Sequence, residues 1–202
     1  MPGQKVAEAT RREQILKAAH EVALRRGIDG LTLRAVAARA RLSHGLVLFH
    51  FKRKDQLGLA LLDRVLATTV SPGIPDAIAA IPDPRERLLA LFRREMHRLS
   101  AEPRRVRLLL EYWARGAHNA MIRKKMMAGL DGYRAVFQGL ADEALQAHAG
   151  RSGQATPAGV AAAAVSLILG YPVQAMIDPE QLHGGEYLAS VEGLLGRPPA
   201  AA

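Results

Sequence analysis

Ile15, Ala18, Ala19 and Val22 recur at i, i+3, i+4 and i+7, while Arg11, Arg12, Lys17, Arg25 and Arg26 fall off that stripe. This spacing predicts an amphipathic helix from about Thr10, stopped by Gly27 and Gly30. Thr32 is placed to cap a second helix, Leu33 to about Ala40, with Val36 and Ala37 inward. Ser43 is placed to cap a third, His44 to about His50, after a short break. A longer helix begins near Asp55, a good residue for a helix N-terminus, and carries Leu57, Leu61, Val65 and Leu66 to about Val70. Residues 1–9 show no periodicity and read as a mobile arm.

Pro72, Gly73, Pro75, Pro82 and Pro84 crowd the next stretch, which reads as a linker with one short turn. Asp83-Pro84-Arg85-Glu86 then opens a helix running to about Ser100: Asp caps it, and Pro fills the first helical position. Further helices are predicted from Glu102-Pro103 to Gly116 and from Asn119 to about Ala149. After a polar loop at 150–155, Thr156-Pro157 opens another, through Val160, Ala164, Leu167 and Ile168 to about Ile177. Pro172 should kink it. A weaker helix spans about 186–195. No strand-length run alternates polar and apolar residues, so the fold class is all-α, with domains of about 10–70 and 83–202.

Charge changes this picture most. The chain has 202 residues, 28 Lys+Arg and 19 Asp+Glu. Residues 1–70 hold 13 basic and 6 acidic side chains, a net +7, which leaves +2 for the remainder. That asymmetry points to a polyanion, either nucleic acid or an anionic membrane surface; a merely solubilising charge is the plain alternative. The absence of cysteine excludes disulfides, thiol catalysis and Cys-ligated metal. No apolar run reaches about 18 residues without a charge, Gly or Pro, so no spanning helix is expected. Lys5, Glu8, Arg11, Arg12 and Glu13 stand where a secretion signal would be apolar, so a cytoplasmic location is expected. No HExxH, Gly-x-Ser-x-Gly, P-loop or dinucleotide fingerprint occurs, and Glu95 and Glu111 form no carboxylate pair. Neither catalysis, metal nor cofactor is expected.

A longer helix, then two short helices with a tight turn, within the basic third, describe a helix-turn-helix unit. An ordinary helical hairpin has the same spacing. Ser43-His44-Gly45 supplies a cap, a polar reader and a position without a side chain, all suited to entering a major groove about 12 Å wide.

The run from Thr10 to Leu57 resembles the N-terminal domain of TetR-type bacterial transcriptional regulators. The likeness rests on Arg26-Gly27, Thr32-Leu33-Arg34 with Val36-Ala37, Ser43-x-Gly45 and Phe51-x-x-Lys54-Asp55-x-Leu57. It implies DNA contacts from Thr32, Arg34, Ser43, His44, Gly45, Leu46, Leu48, His50 and Lys54. Three departures stand out: Arg41 where Gly is frequent in the turn, Leu48 where a Tyr usually meets phosphate, and Ala23 where the first helix usually has an aromatic residue. Phe49 or Phe51 is expected to fill the space beside Ala23.

Glu111-Tyr112-Trp113-Ala114 and Gly170 to Pro179 are similar to the C-terminal domain of choline-responsive members. The resemblance implies a helical-bundle domain for ligand binding and dimerisation. Tyr112, Trp113, Met96, Phe137 and Tyr171 are the candidate ligand residues, although such residues at helical spacing equally build a core. Tyr112 and Trp113 point about 100° apart on a helix, and Tyr112 is expected nearer the cavity with Trp113 as core support. The dimer surface is expected from 157–177 and 186–195. These expectations describe a homodimeric repressor released from operator DNA by a small-molecule effector. The rivals are a basic helical protein on a membrane surface and a helical enzyme with an aromatic pocket.

Overall fold

Ten helices and no strand form among residues 8–70, 73–147, 154–178, 180 and 183–196, the residues described in this computed structural model. They are α1 (Glu8–Arg26), α2 (Leu33–Ala40), α3 (His44–His50), α4 (Lys54–Thr69), α5 (Asp76–Ala79), α6 (Pro84–Ser100), α7 (Pro103–Gly116), α8 (Ala120–Ala147), α9 (Pro157–Ile177) and α10 (Gly184–Gly196). Of the arm expected at 1–9, residues 8 and 9 belong to α1; residues 1–7, and 150–153 of the expected loop, lie outside the described set.

Helix starts follow side-chain caps. Thr32 Oγ1 accepts from the Ala35 amide at 3.1 Å, and Ser43 Oγ from the Leu46 amide at 3.2 Å. Asp83 accepts from the Arg85 amide at 3.0 Å with Pro84 as first helical residue. Asn119 Oδ1 serves the Met121 and Ile122 amides, and Thr156 Oγ1 the Gly159 amide.

The chain divides into two compact units. The first joins residues 1–69 to 107–128, and the second joins 70–106 to 129–202. The block expected at 83–202 is therefore shared between them. In the first unit α1 packs on α2 and α4, and α2 on α3. Ile15, Leu31, Val36, Val47, Leu57 and Leu61 are fully buried there. In the second, α6 packs on α5 and α9, over a core that includes Leu91, Phe92, Leu99, Tyr133, Phe137 and Ile168.

This division sharpens the charge asymmetry, because 107–128 contributes five basic residues and one acidic. The first unit holds 18 Lys+Arg against 7 Asp+Glu, a net +11; the second holds 10 against 12, a net −2.

As expected, α9 starts at Thr156-Pro157 and extends through Gly170 and Pro172 to Ile177, 21 residues in all. Its best 18-residue window has a mean hydropathy of 1.8, long and apolar enough to cross a membrane by length and composition. Only a third of that window is buried, so a largely apolar helix keeps an open face.

Candidate nucleic-acid interface and ligand cavities

The turn between α2 and α3 closes through Arg41, which adopts the left-handed conformation (φ 55°, ψ 44°). Its amide donates to the carbonyls of Ala37 and Ala38, and the Leu42 amide to Ala37 at 3.0 Å. The turn thus has the geometry that favours glycine, and Arg41 occupies it at a cost. Gln14 Nε2 donates to the Ala40 carbonyl at 3.1 Å, tying the end of α2 to α1.

Val47 is the only fully buried residue of α3. His44, Gly45, Leu48 and Phe49 are exposed; Leu46 and His50 are half-buried. Phe51, just beyond the helix, enters the core, with the Arg12 guanidinium 4.3 Å from its ring centroid. Arg12 also donates to the His50 carbonyl at 3.3 Å. Phe49 is 72% exposed, so it does not fill space beside Ala23; its ring lies edge-on to His50 at 5.3 Å. Sequence reasoning passed over Phe49 as a surface residue, although its period relative to buried Val47 puts it on another face. Thr32, Arg34, Ser43 and Lys54 are all exposed. Lys54 Nζ makes one hydrogen bond among the described residues, to the Asp29 carbonyl at 3.5 Å.

Helix α7 clamps this unit. Glu111 accepts from the Ile28 amide at 2.7 Å, just after Gly27, whose φ is +70°. A Cβ at Gly27 would stand 2.9 Å from the Glu111 carboxylate, so glycine is needed there for space as well as conformation. Arg107 donates to the Leu24 carbonyl at 2.9 Å, and Arg115 holds Asp29 at 2.6 Å. The Arg115 hydrogen bond and charge hold the Asp29 carboxyl below its usual range. The Tyr112 hydroxyl donates to the Gly58 carbonyl at 2.8 Å, and burial pushes its phenol well above the usual range.

Tyr112 is buried yet borders a cavity of about 710 Å³ in the same unit, between the turn after α1, the start of α4 and the α7–α8 junction. Trp113 overturns its expected role as core support: it is 49% exposed and does not border this cavity. Leu108, Leu109 and Tyr112 fill the buried face of α7 instead.

The other three candidate ligand residues lie in the second unit. Met96 and Phe137 are buried there. Tyr171 is buried too, 4.9 Å from Tyr187 between ring centroids, and a Cβ at Gly184 would stand 2.8 Å from its hydroxyl. The centre of this unit is Glu95, fully buried and held by Arg94 at 2.8 Å, Arg98 at 2.6 Å and the Tyr133 hydroxyl at 3.1 Å. The Tyr133 ring meets Phe137 edge-on at 5.6 Å. The i, i+3 spacing of Glu95 and Arg98 is a signal that sequence reasoning did not use, and nothing local points to Tyr133, 38 residues away.

Residues 15–61 match the family described as bacterial regulatory proteins, tetR family. Residues 84–197, more than half the chain, match BetI-type transcriptional repressor, C-terminal. The chain belongs to the TetR family. Its C-terminal part is of the BetI type. Among TetR-family relatives, the HTH-type transcriptional regulator BetI of Burkholderia ambifaria is 31% identical over 114 residues, which is 56% of this chain. The chain spans about three fifths (59%) of that relative's length. A transcriptional regulator of Saccharomonospora viridis, crystallised in complex with choline, superposes with a TM-score of 0.75 at 18% identity, covering 94% of this chain and 97% of that one. A TetR transcription regulator of Haloarcula marismortui gives 0.73, also at 18%, covering 93% and 95%. These two likenesses establish the TetR-type fold.

Proposed function

We propose that this TetR-family chain is a cytoplasmic, homodimeric DNA-binding repressor whose hold on operator DNA is released by a small-molecule effector. The observation that carries the reading is α3. A seven-residue helix that buries only Val47 contributes little to the core, yet it is capped, clamped and displayed on a unit of net charge +11. Such a helix suits a major groove, with surrounding cations on the phosphates. Ser43, His44, Gly45, Leu46 and Leu48 face bases, while Thr32, Arg34, His50 and Lys54 meet backbone. Leu48 offers an apolar contact, as to a thymine methyl, where a tyrosine would offer a hydroxyl.

The open apolar face of α9, with α10, supplies the dimer surface, and this accounts for its hydropathy without a membrane. The effector belongs to the second unit, near Met96, Phe137 and Tyr171. The BetI-type match and the choline bound by the Saccharomonospora regulator support a small organic effector. Two arginines already balance Glu95, so that carboxylate is not a vacant counter-ion for a cation.

The test is selection of duplexes from a random pool by the purified protein. The expected product is a near-palindrome, bound at least about a thousandfold more tightly than random DNA at physiological salt, with affinity falling as salt rises. Equal affinity for random and selected duplexes would overturn the reading.

A further inference from the structure

Apart from Lys54, the cavity of the first unit is lined by residues to which the DNA-binding reading gives no role. Its 710 Å³ lies within the range of small-molecule sites, about 300–1,000 Å³. Ile28, Leu31, Leu59, Tyr112, Met121 and Ile122 make its apolar wall. Gly58 shares that wall from the second turn of α4. Glycine weakens a helix interior relative to alanine, and nothing local demands it here. Its φ is not positive, and a Cβ at 58 would meet nothing within 4 Å. What glycine leaves at this position is space.

The polar groups around the cavity are unevenly spent. Both bordering carboxylates are engaged: Glu111 by the Ile28 amide, and Asp55 by Arg53 at 2.9 Å. Beside them stand donors with capacity to spare. Among the described residues Lys54 makes only its 3.5 Å hydrogen bond, and Arg115 commits one terminal nitrogen to Asp29. Asn119 spends its oxygen on the α8 amides and keeps its amide nitrogen, while the His118 side chain makes no hydrogen bond or ion pair among the described residues, its backbone amide donating to the Arg115 carbonyl at 3.1 Å. An apolar wall edged by unspent donors, in a unit of net charge +11, selects an acceptor-rich head on an apolar body.

We infer that this cavity is a binding site for an organic anion, a carboxylate with an apolar chain or ring, its head at Lys54 and Arg115 and its body against the wall beside Gly58. The site is distinct from the effector position in the second unit. Because it draws on Lys54, its ligand competes with the DNA backbone; this consequence rests on the DNA-binding reading above.

The experiment titrates decanoate and its neutral amide, decanamide, into the full-length protein by calorimetry. Decanoate should bind, and decanamide at least about tenfold more weakly. Gly58→Leu fills the cavity and should weaken decanoate at least about tenfold while the far-ultraviolet spectrum and melting profile stay those of the parent. A diazirine-bearing decanoate should label peptides within 54–59 or 111–122 of the parent, a readout independent of whether the variant folds. Saturating decanoate should weaken the selected duplex at least about fivefold in the parent and not in Gly58→Leu. No decanoate binding, equal binding of acid and amide, undiminished binding by a folded Gly58→Leu, or labelling confined to the second unit would each overturn the site. Unchanged duplex affinity at saturating decanoate would overturn the competition. Failure of the DNA-binding reading shows separately, as absence of duplex preference in the ligand-free parent.

Discussion

At the scale of single residues, Arg41 shows the turn enforcing a conformation on the wrong residue type. Its left-handed backbone is set by the two carbonyls its amide serves. Replacing Arg41 by Gly removes the Cβ conflict and should stabilise the folded protein by about 1 kcal/mol, measured by urea denaturation. A loss of stability would show that the Arg41 side chain holds the turn. Glu95 is the opposite case, a buried charge matched by two arginines and a phenol. Truncation to Ala strands Arg94 and Arg98, and since both are partly exposed, about 2–3 kcal/mol should be lost rather than the full cost of a buried pair. On the proposed reading, Lys54 and His44 make two different kinds of DNA contact. Lys54→Ala should weaken all duplexes alike and flatten the salt dependence, whereas His44→Ala should blur preference at particular base pairs. Identical behaviour of the two variants on selected and random duplexes would contradict these roles.

At the scale of elements, most of the fold was legible because helix ends are local chemistry. Thr32, Ser43, Asp83 and Thr156 each cap within three residues, and the helices begin where those caps place them. Faces of one helix relative to each other were legible too, since the period is fixed. What each face meets was not. Tyr112 and Trp113 were rightly separated, yet Trp113 fell on the open side because the partner of α7 is the α1–α2 turn. Glu111 reads as an isolated acid because Ile28, whose amide it accepts, lies 83 residues away. Phe49 and Phe51 look alike in sequence, but one lies on the helix and the other past its end, and only Phe51 turns inward. Helix α3 therefore offers a clean contrast between packing and function. Val47→Ala should cost about 2 kcal/mol of stability. Phe49→Ala should change stability by under about 0.5 kcal/mol and weaken the selected duplex about tenfold or more. The second expectation adds Phe49 to the proposed DNA contacts because its ring is exposed on α3; denaturation and duplex titration on the same variants read both, and a Phe49→Ala protein with parental DNA affinity would show that this ring makes no DNA contact.

At the scale of the whole molecule, a single α3 is too small to specify an operator, so the proposed repressor needs a second copy, and the apolar face left open on α9 is the surface proposed for it. Ala162, Ala163 and Ser166 are exposed on α9, and Ala189 and Gly193 on α10. Small residues permit close approach of helices, and a two-fold axis makes each copy bury the same patch. The parent should therefore scatter light as twice its 21.8 kDa mass at micromolar concentration. Ala163→Arg keeps a good helix former at the site but brings two like charges together near the axis, each stripped of water. It should shift the protein to monomer with an unchanged far-ultraviolet spectrum. Selected-duplex affinity should fall steeply, because two recognition helices about 34–36 Å apart no longer bind as one. Affinity for a single half-site should stay within about twofold of the parent's, since that contact needs only one first unit. A parent that is monomeric at micromolar concentration with full operator affinity, or an Ala163→Arg protein that remains a dimer, would remove α9 from the assembly.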